Sequence, residues 1–230
     1  MVRMTTTITT IDSERSLIRL MTWLSPAFPV GGFAYSGGLE SAVHDGMIAN
    51  GDELARWLQT QATNGVLWND AVLQAEAWRS HADCPRLQAA SELAEALAGS
   101  AERHLELMAL GEAFVAAASA WPHPVLAFLG GRPPYAIAVG AVAAGHGISL
   151  DSTTAAYLHA VLSQAVSAAI RLGVIGQKQG VSILAGLEAD IVETARRSTQ
   201  STLDDLGAAT FIADLAAIRH ETQYTRLFRS

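Results

Sequence analysis

The sequence predicts an all-α fold: a single compact domain of about ten helices with little or no β-structure. Three observations carry that prediction. Apolar residues recur at i, i+3, i+4 and i+7 through most of the chain. There is no period-2 run and no hairpin turn between β-rich segments. Half of the 230 residues are hydrophobic and only 16% are charged, enough to bury a full core and too apolar for a disordered chain.

The elements follow in order. Residues 1–11 are Thr-rich and are expected to be a flexible N-terminus, ahead of an all-helical domain over 12–219. Asp12 or Ser13 can cap a first helix that places Leu17, Leu20, Met21 and Leu24 on one face, and Pro26 ends it. Ser36 can cap a short helix carrying Leu39, Ala42 and Val43, stopped at Asp45-Gly46. Asp52 is placed to cap the next, with Leu54, Trp57, Leu58 and Gln61 at helical spacing, and another is expected from Val66 to His81, before Cys84-Pro85. Leu87, Ala90, Leu93, Ala94 and Leu97 form a stripe closed by Gly99, and Ser100 opens a long helix reaching Trp121.

Trp121-Pro-His-Pro and Gly130-Gly-Arg-Pro-Pro mark loops around a helix expected at Tyr135–Gly145. Asp151 is expected to cap a helix over 152–171, broken by Gly173 and Gly176. One further helix is expected from Gln177 to Arg197, and a last one carries Phe211, Leu215 and Ile218. Residues 220–230 then form a C-terminal tail. No fixed-period repeat occurs, which excludes a solenoid.

Composition excludes several function classes. Net charge is −7, and Arg196-Arg197 and the tail are the only basic clusters, so nucleic acid is not an expected partner. One cysteine rules out an internal disulfide and fits a reducing compartment, and Met1–Thr7 lacks the apolar core of a secretory signal, so a cytoplasmic location is expected. The most apolar run, Ala155 to Gly176, is interrupted by His159, Gln164 and Arg171 and reads as a buried helix, not a membrane span.

No cofactor, metal or catalytic group is assigned. Neither Gly31-Gly32 nor Gly37-Gly38 is followed by the Lys-Ser/Thr of a phosphate loop. The seven histidines are scattered singly in sequence, and His81-x-x-Cys84 offers only two ligands, too few for a tight metal site. Ser25, Ser36 and Ser41 lack a nucleophile elbow. Glu40 and His44, four apart, are expected to face each other as a solvated or interfacial pair.

Two stretches stand apart from this helical background. Residues 24–40, LSPAFPVGGFAYSGGLE, hold two prolines, four glycines and three aromatics. Pro26 and Pro29 forbid a helix there, Gly31-Gly32 allows a positive φ, and Phe28, Val30, Phe33 and Tyr35 are expected to pack the loop down. The tail, QYTRLFRS, interleaves Arg226 and Arg229 with Tyr224, Leu227 and Phe228, residue types that anchor interfaces because they join large buried area to directed donors. It reads either as a segment ordered by a partner or as one folded back on its own core.

The loop motif SPAFPVGGFAYSGGLE and the terminal HETQYTRLFRS together resemble the urease accessory protein F family, with looser matches at Gly111–Phe114 and Gly176-Gln177. The resemblance implies a non-enzymatic, dimeric accessory protein. It would form a complex with urease accessory protein D (also called H) and the GTPase accessory protein G, dock on apo-urease, and regulate GTP-dependent nickel insertion. The partner-binding residues expected in the loop are Pro29, Gly31, Gly32, Tyr35, Ser36 and Glu40, with Gln177 further along. In the tail they are His220, Gln223, Tyr224, Arg226, Leu227, Phe228 and Arg229. A small all-helical enzyme with an inter-helical site, or a helical scaffold unrelated to urease, are the alternative readings.

Overall fold

The structure, a computed structural model, describes residues 10–230. The flexible segment expected at 1–11 therefore lies, up to residue 9, outside the described residues. Twelve α-helices and two short 3₁₀ turns make up the rest, with no strand among the described residues. The helices are α1 (Thr10–Trp23), α2 (Leu39–His44), α3 (Gly51–Asn64), α4 (Val66–Arg79), α5 (Cys84–Ala96) and α6 (Ala101–Ala118). After them come α7 (Val125–Leu129), α8 (Tyr135–Gly145), α9 (Leu150–Arg171), α10 (Gln177–Gly186), α11 (Glu188–Gln200) and α12 (Phe211–His220).

The centre is α8. Its sequence, YAIAVGAVAAG, is apolar on every side, and a helix with no polar face has to be surrounded. Residues Tyr135 to Ala144 are all buried, between α4, α6 and α9. Small residues let the backbones close in: a Cβ on Gly140 would fall 2.5 Å from the Gln74 carbonyl oxygen of α4. Around this axis Leu54, Leu87, Ile137, Leu158 and Leu162 are all but inaccessible, each such burial contributing roughly 1.5–3 kcal/mol. At one end Trp23, fully buried, meets Phe114 and Trp121 edge-on at 6.3 and 5.7 Å.

Several boundaries differ from the sequence expectation, and each difference has a local cause. Asn50, not Asp52, caps α3: its Oδ1 accepts from the amides of Asp52 and Glu53, both at 3.1 Å. Ser149 rather than Asp151 caps α9. Cys84-Pro85 opens α5 instead of closing a helix, since Asp83 caps it and proline is well suited to a first turn. The helix expected from Gln177 to Arg197 is two, jointed at buried Leu187, after Gly186 weakens the helix and before Glu188 and Asp190 start a new N-terminus. The expected loop near Pro124 contains α7.

Two apolar faces point outward. On α1, Leu20 and Trp23 are buried, whereas Leu17, Ile18 and Met21 are exposed. On α12, the stripe of Phe211, Ile212, Leu215 and Ile218 is exposed, and Ala216 and His220 face the core. No helix among the described residues is long and apolar enough to cross a membrane.

Candidate functional site

The loop of residues 24–40 is fixed at its base by aromatics. Phe28 is buried 5.7 Å from Phe114 and 6.4 Å from Trp121, and Tyr35 is buried as well. Phe33, expected to pack down, instead stands 72% exposed on a 3₁₀ turn over Gly32–Ala34, because that turn carries its side chain away from the core. Pro29 is exposed as well. Gly31 has φ of 77° and Gly38 has φ of 80°, a region that only glycine enters freely. Gly38 also has no room for a side chain, since a Cβ would lie 2.9 Å from the Ala217 backbone of α12. That close approach sets α12 against the start of α2.

From α12 the chain runs back along the loop, and a chain of polar contacts holds it there. Glu40, on α2, is buried, and its carboxylate accepts from the amides of Leu227 (2.7 Å) and Phe228 (2.9 Å). The same carboxylate meets His220 Nε2 at 3.1 Å, and His220 Nδ1 meets Glu102 of α6 at 2.7 Å. His220 thereby links the carboxylates of Glu40 and Glu102. Arg226 binds the second oxygen of Glu102, so the terminal segment is tied to α6 as well as to α2.

Beyond that the backbones pair directly. Arg229 donates its amide to Ala34 (2.8 Å), and Ser36 donates its amide to the Ser230 carbonyl (2.8 Å) and its hydroxyl to the same oxygen. The Ser230 hydroxyl donates to Glu106 at 3.3 Å. Phe228 is buried, with the Arg171 guanidinium stacked 4.2 Å over its ring.

Electrostatics supports this arrangement. Burial opposes the charge of Glu40, but the Leu227 amide, His220 and the Phe228 amide outweigh it and hold the carboxyl below its usual range. Beneath lies a second buried group, where Arg103 bonds Asp70 at 2.6 Å and reaches Glu106 at 3.6 Å, and the Tyr157 hydroxyl donates to Asp70 at 2.8 Å. Burial disfavours the Arg103 charge, yet Asp70 and Glu106 more than offset it. Burial pushes Glu106 up despite Arg103.

The structure brings most of the sequence candidates together. Gly31, Gly32, Tyr35, Ser36 and Glu40 share one region with His220, Arg226, Phe228 and Arg229. Tyr224 and Leu227 project from it fully and largely exposed, and Gln223 bonds within the segment to the Thr225 carbonyl. Gln177 stands exposed at the first position of α10, with no hydrogen bond or ion pair to loop or tail among the described residues. Glu40 does not pair with His44, which is exposed; its partner is His220. Ser36 is two residues short of the N-cap, held by Gly38, yet its Oγ still accepts from the Glu40 amide.

Glu102, Glu106 and Ser230 have no signal in the local pattern that would mark them as members of the site. His123 and His146, separate in sequence, come within 5.3 Å ring to ring. No group of three or more His, Cys, Asp or Glu able to hold a metal occurs among the described residues.

Fold and site define an all-helical protein that lays a basic, aromatic terminal segment against a proline- and glycine-shaped loop. The comparisons are specific about which. The UreF family model matches residues 48–188. Urease accessory protein UreF of Agrobacterium fabrum is 62% identical over 215 residues, 94% of this chain and 96% of its own length. The UreF proteins of Rhizobium johnstonii and Rhizobium meliloti are 60% and 57% identical, over 96% and 94% of this chain and 100% and 97% of their own lengths. The chain belongs to the UreF family of urease accessory proteins.

Proposed function

We propose that this chain is a non-enzymatic scaffold of urease maturation. It forms a complex with accessory protein D/H and the GTPase accessory protein G, docks on apo-urease, and regulates the GTP-dependent insertion of nickel. It works as a homodimer in the cytoplasm. Membership of the UreF family supports this reading, and one structural observation carries it to particular residues. The terminal segment is pinned through Phe228 and its backbone while the side chains of Tyr224, Leu227 and Arg229 are exposed. Aromatic and arginine side chains held in place lose little further entropy on docking, which suits them to anchor a partner.

A second reading, an enzyme with a site between helices, would draw on Glu106, raised by burial in a cavity wall. That carboxyl already bonds Arg103 and Ser230, so the accessory reading is preferred.

The test is capture of purified partners. Wild type should retain accessory protein D/H, and the pair should then retain the GTPase. Tyr224→Ser combined with Leu227→Ser should abolish one of those steps while leaving the melting temperature unchanged, since both side chains are exposed. Retention of both partners by that variant would put the interface elsewhere.

A further inference from the structure

A cavity of about 100 Å³ lies beneath α12, between α3, α4, α6, α9 and residues 35–39. Its body is apolar, walled by Trp57, Leu58, Leu67, Val161 and Leu162. Two polar side chains in its lining are without a partner. Gln61 is only 9% exposed, and its amide has no hydrogen-bond partner among the described residues. An amide that lines the cavity without a partner leaves its oxygen free to accept from a ligand. The side chain of Asp214, on α12, makes neither an ion pair nor a hydrogen bond among the described residues, and burial raises its carboxyl. Glu106 is bonded by Arg103 and by the Ser230 hydroxyl, and the lining as a whole carries the carboxyls of Glu102, Glu106 and Asp214 against the one guanidinium of Arg103.

We propose that this cavity binds a primary alkylammonium group. An ammonium carries three donors and no acceptor, which matches a lining of carboxylates and an amide oxygen, and its aliphatic stem matches the apolar body. Size limits the stem: where about 150 Å³ accommodates the six carbons of benzene, this cavity accommodates about four heavy atoms, a propylammonium or the outer end of a lysine side chain. A guanidinium with its stem exceeds that. The source is either a free amine or a lysine presented by a partner. Since Gly37, Gly38, Ser230 and α12 also line the cavity, occupancy braces the elements that hold the terminal segment.

The experiment titrates the full chain with n-propylammonium chloride, 1-propanol and Nα-acetyl-lysine amide, following the methyl NMR signals of Leu58, Val161 and Leu162. Propylammonium should shift them saturably and 1-propanol at least about tenfold more weakly, the worth of a charge-assisted hydrogen bond. Asp214→Asn, at a half-exposed position, should weaken propylammonium by a similar factor with the fold retained, and Ala165→Leu should block it by filling the cavity. Binding of acetyl-lysine amide alongside propylammonium assigns the site to a partner's lysine; binding of propylammonium alone assigns it to a free amine. No saturable shift with propylammonium, equal binding of 1-propanol, or unchanged affinity in Asp214→Asn would overturn the proposal.

Discussion

Glu40 and His220 meet at 3.1 Å across 180 residues of sequence, and the terminal segment hangs on that meeting. Glu40 is the hub because a single carboxylate, taken out of water, accepts from two tail amides and from the imidazole together. Such charge-assisted bonds are roughly twice as strong as neutral ones, and they fix direction as well as distance.

Glu40→Gln keeps an acceptor but removes the charge. The variant should lose about 2–3 kcal/mol, the scale of hydrogen bonds to a buried charged group. Limited proteolysis should then cut within 221–230 while the helical body stays intact. An unchanged melting temperature together with a protected tail would show that backbone pairing at Ala34 and Ser36 suffices by itself.

The same carboxyl sets a response to acid. A carboxyl held below its usual value in the folded protein contributes stability that is complete above the unfolded value of 4.5 and is lost as pH falls through the folded one. The melting temperature of wild type should therefore fall below pH 4.5 more steeply than that of Glu40→Gln. Subtracting the two curves isolates Glu40 from Glu106 and Asp214, whose carboxyls are raised and whose contributions run the other way. Parallel curves would remove Glu40 from the acid response.

Gly38 and Gly37 form a controlled pair. Both have positive φ, at 80° and 61°, but a Cβ on Gly37 meets nothing within 4 Å, whereas one on Gly38 strikes Ala217 at 2.9 Å. Gly37→Ala should cost about 1 kcal/mol through backbone strain alone, and Gly38→Ala more, about 2–4 kcal/mol with the clash added. Hydrogen exchange should quicken across α12 in the second variant only.

Cys84 is half-buried in the first turn of α5 and belongs to no group able to hold a metal. Cys84→Ser is expected to leave both stability and urease activation at the wild-type level. A large loss of activation in a folded variant would return His81 and Cys84 to consideration as a nickel-handling pair.

Much of the fold was legible because its determinants are local. The 3.6-residue period marked the helices, and the span Tyr135–Gly145 and the Ser100 cap follow from neighbours four residues away or fewer. Cap choice was harder, since Asn50 and Asp52, or Ser149 and Asp151, compete within one turn and the difference is set by φ/ψ at a single residue.

By itself, then, the sequence determined an all-helical chain and the two unusual stretches near its ends, down to the aromatic, proline and glycine residues that shape them. Only the tertiary structure decided what those stretches do to each other. Periodicity identifies an apolar stripe but not whether it faces inward, which is why α12 buries Ala216 and His220 and leaves Phe211, Leu215 and Ile218 outside. Side-chain chemistry shows that a buried Glu40 needs partners, yet the nearby His44 is exposed and His220 with the tail amides fills the role. The physical reason is range: helix bonds close within four residues, whereas the carboxylates of Glu40 and Glu102 are satisfied by groups 118 to 188 positions away, a proximity that exists only once the helices between them have packed.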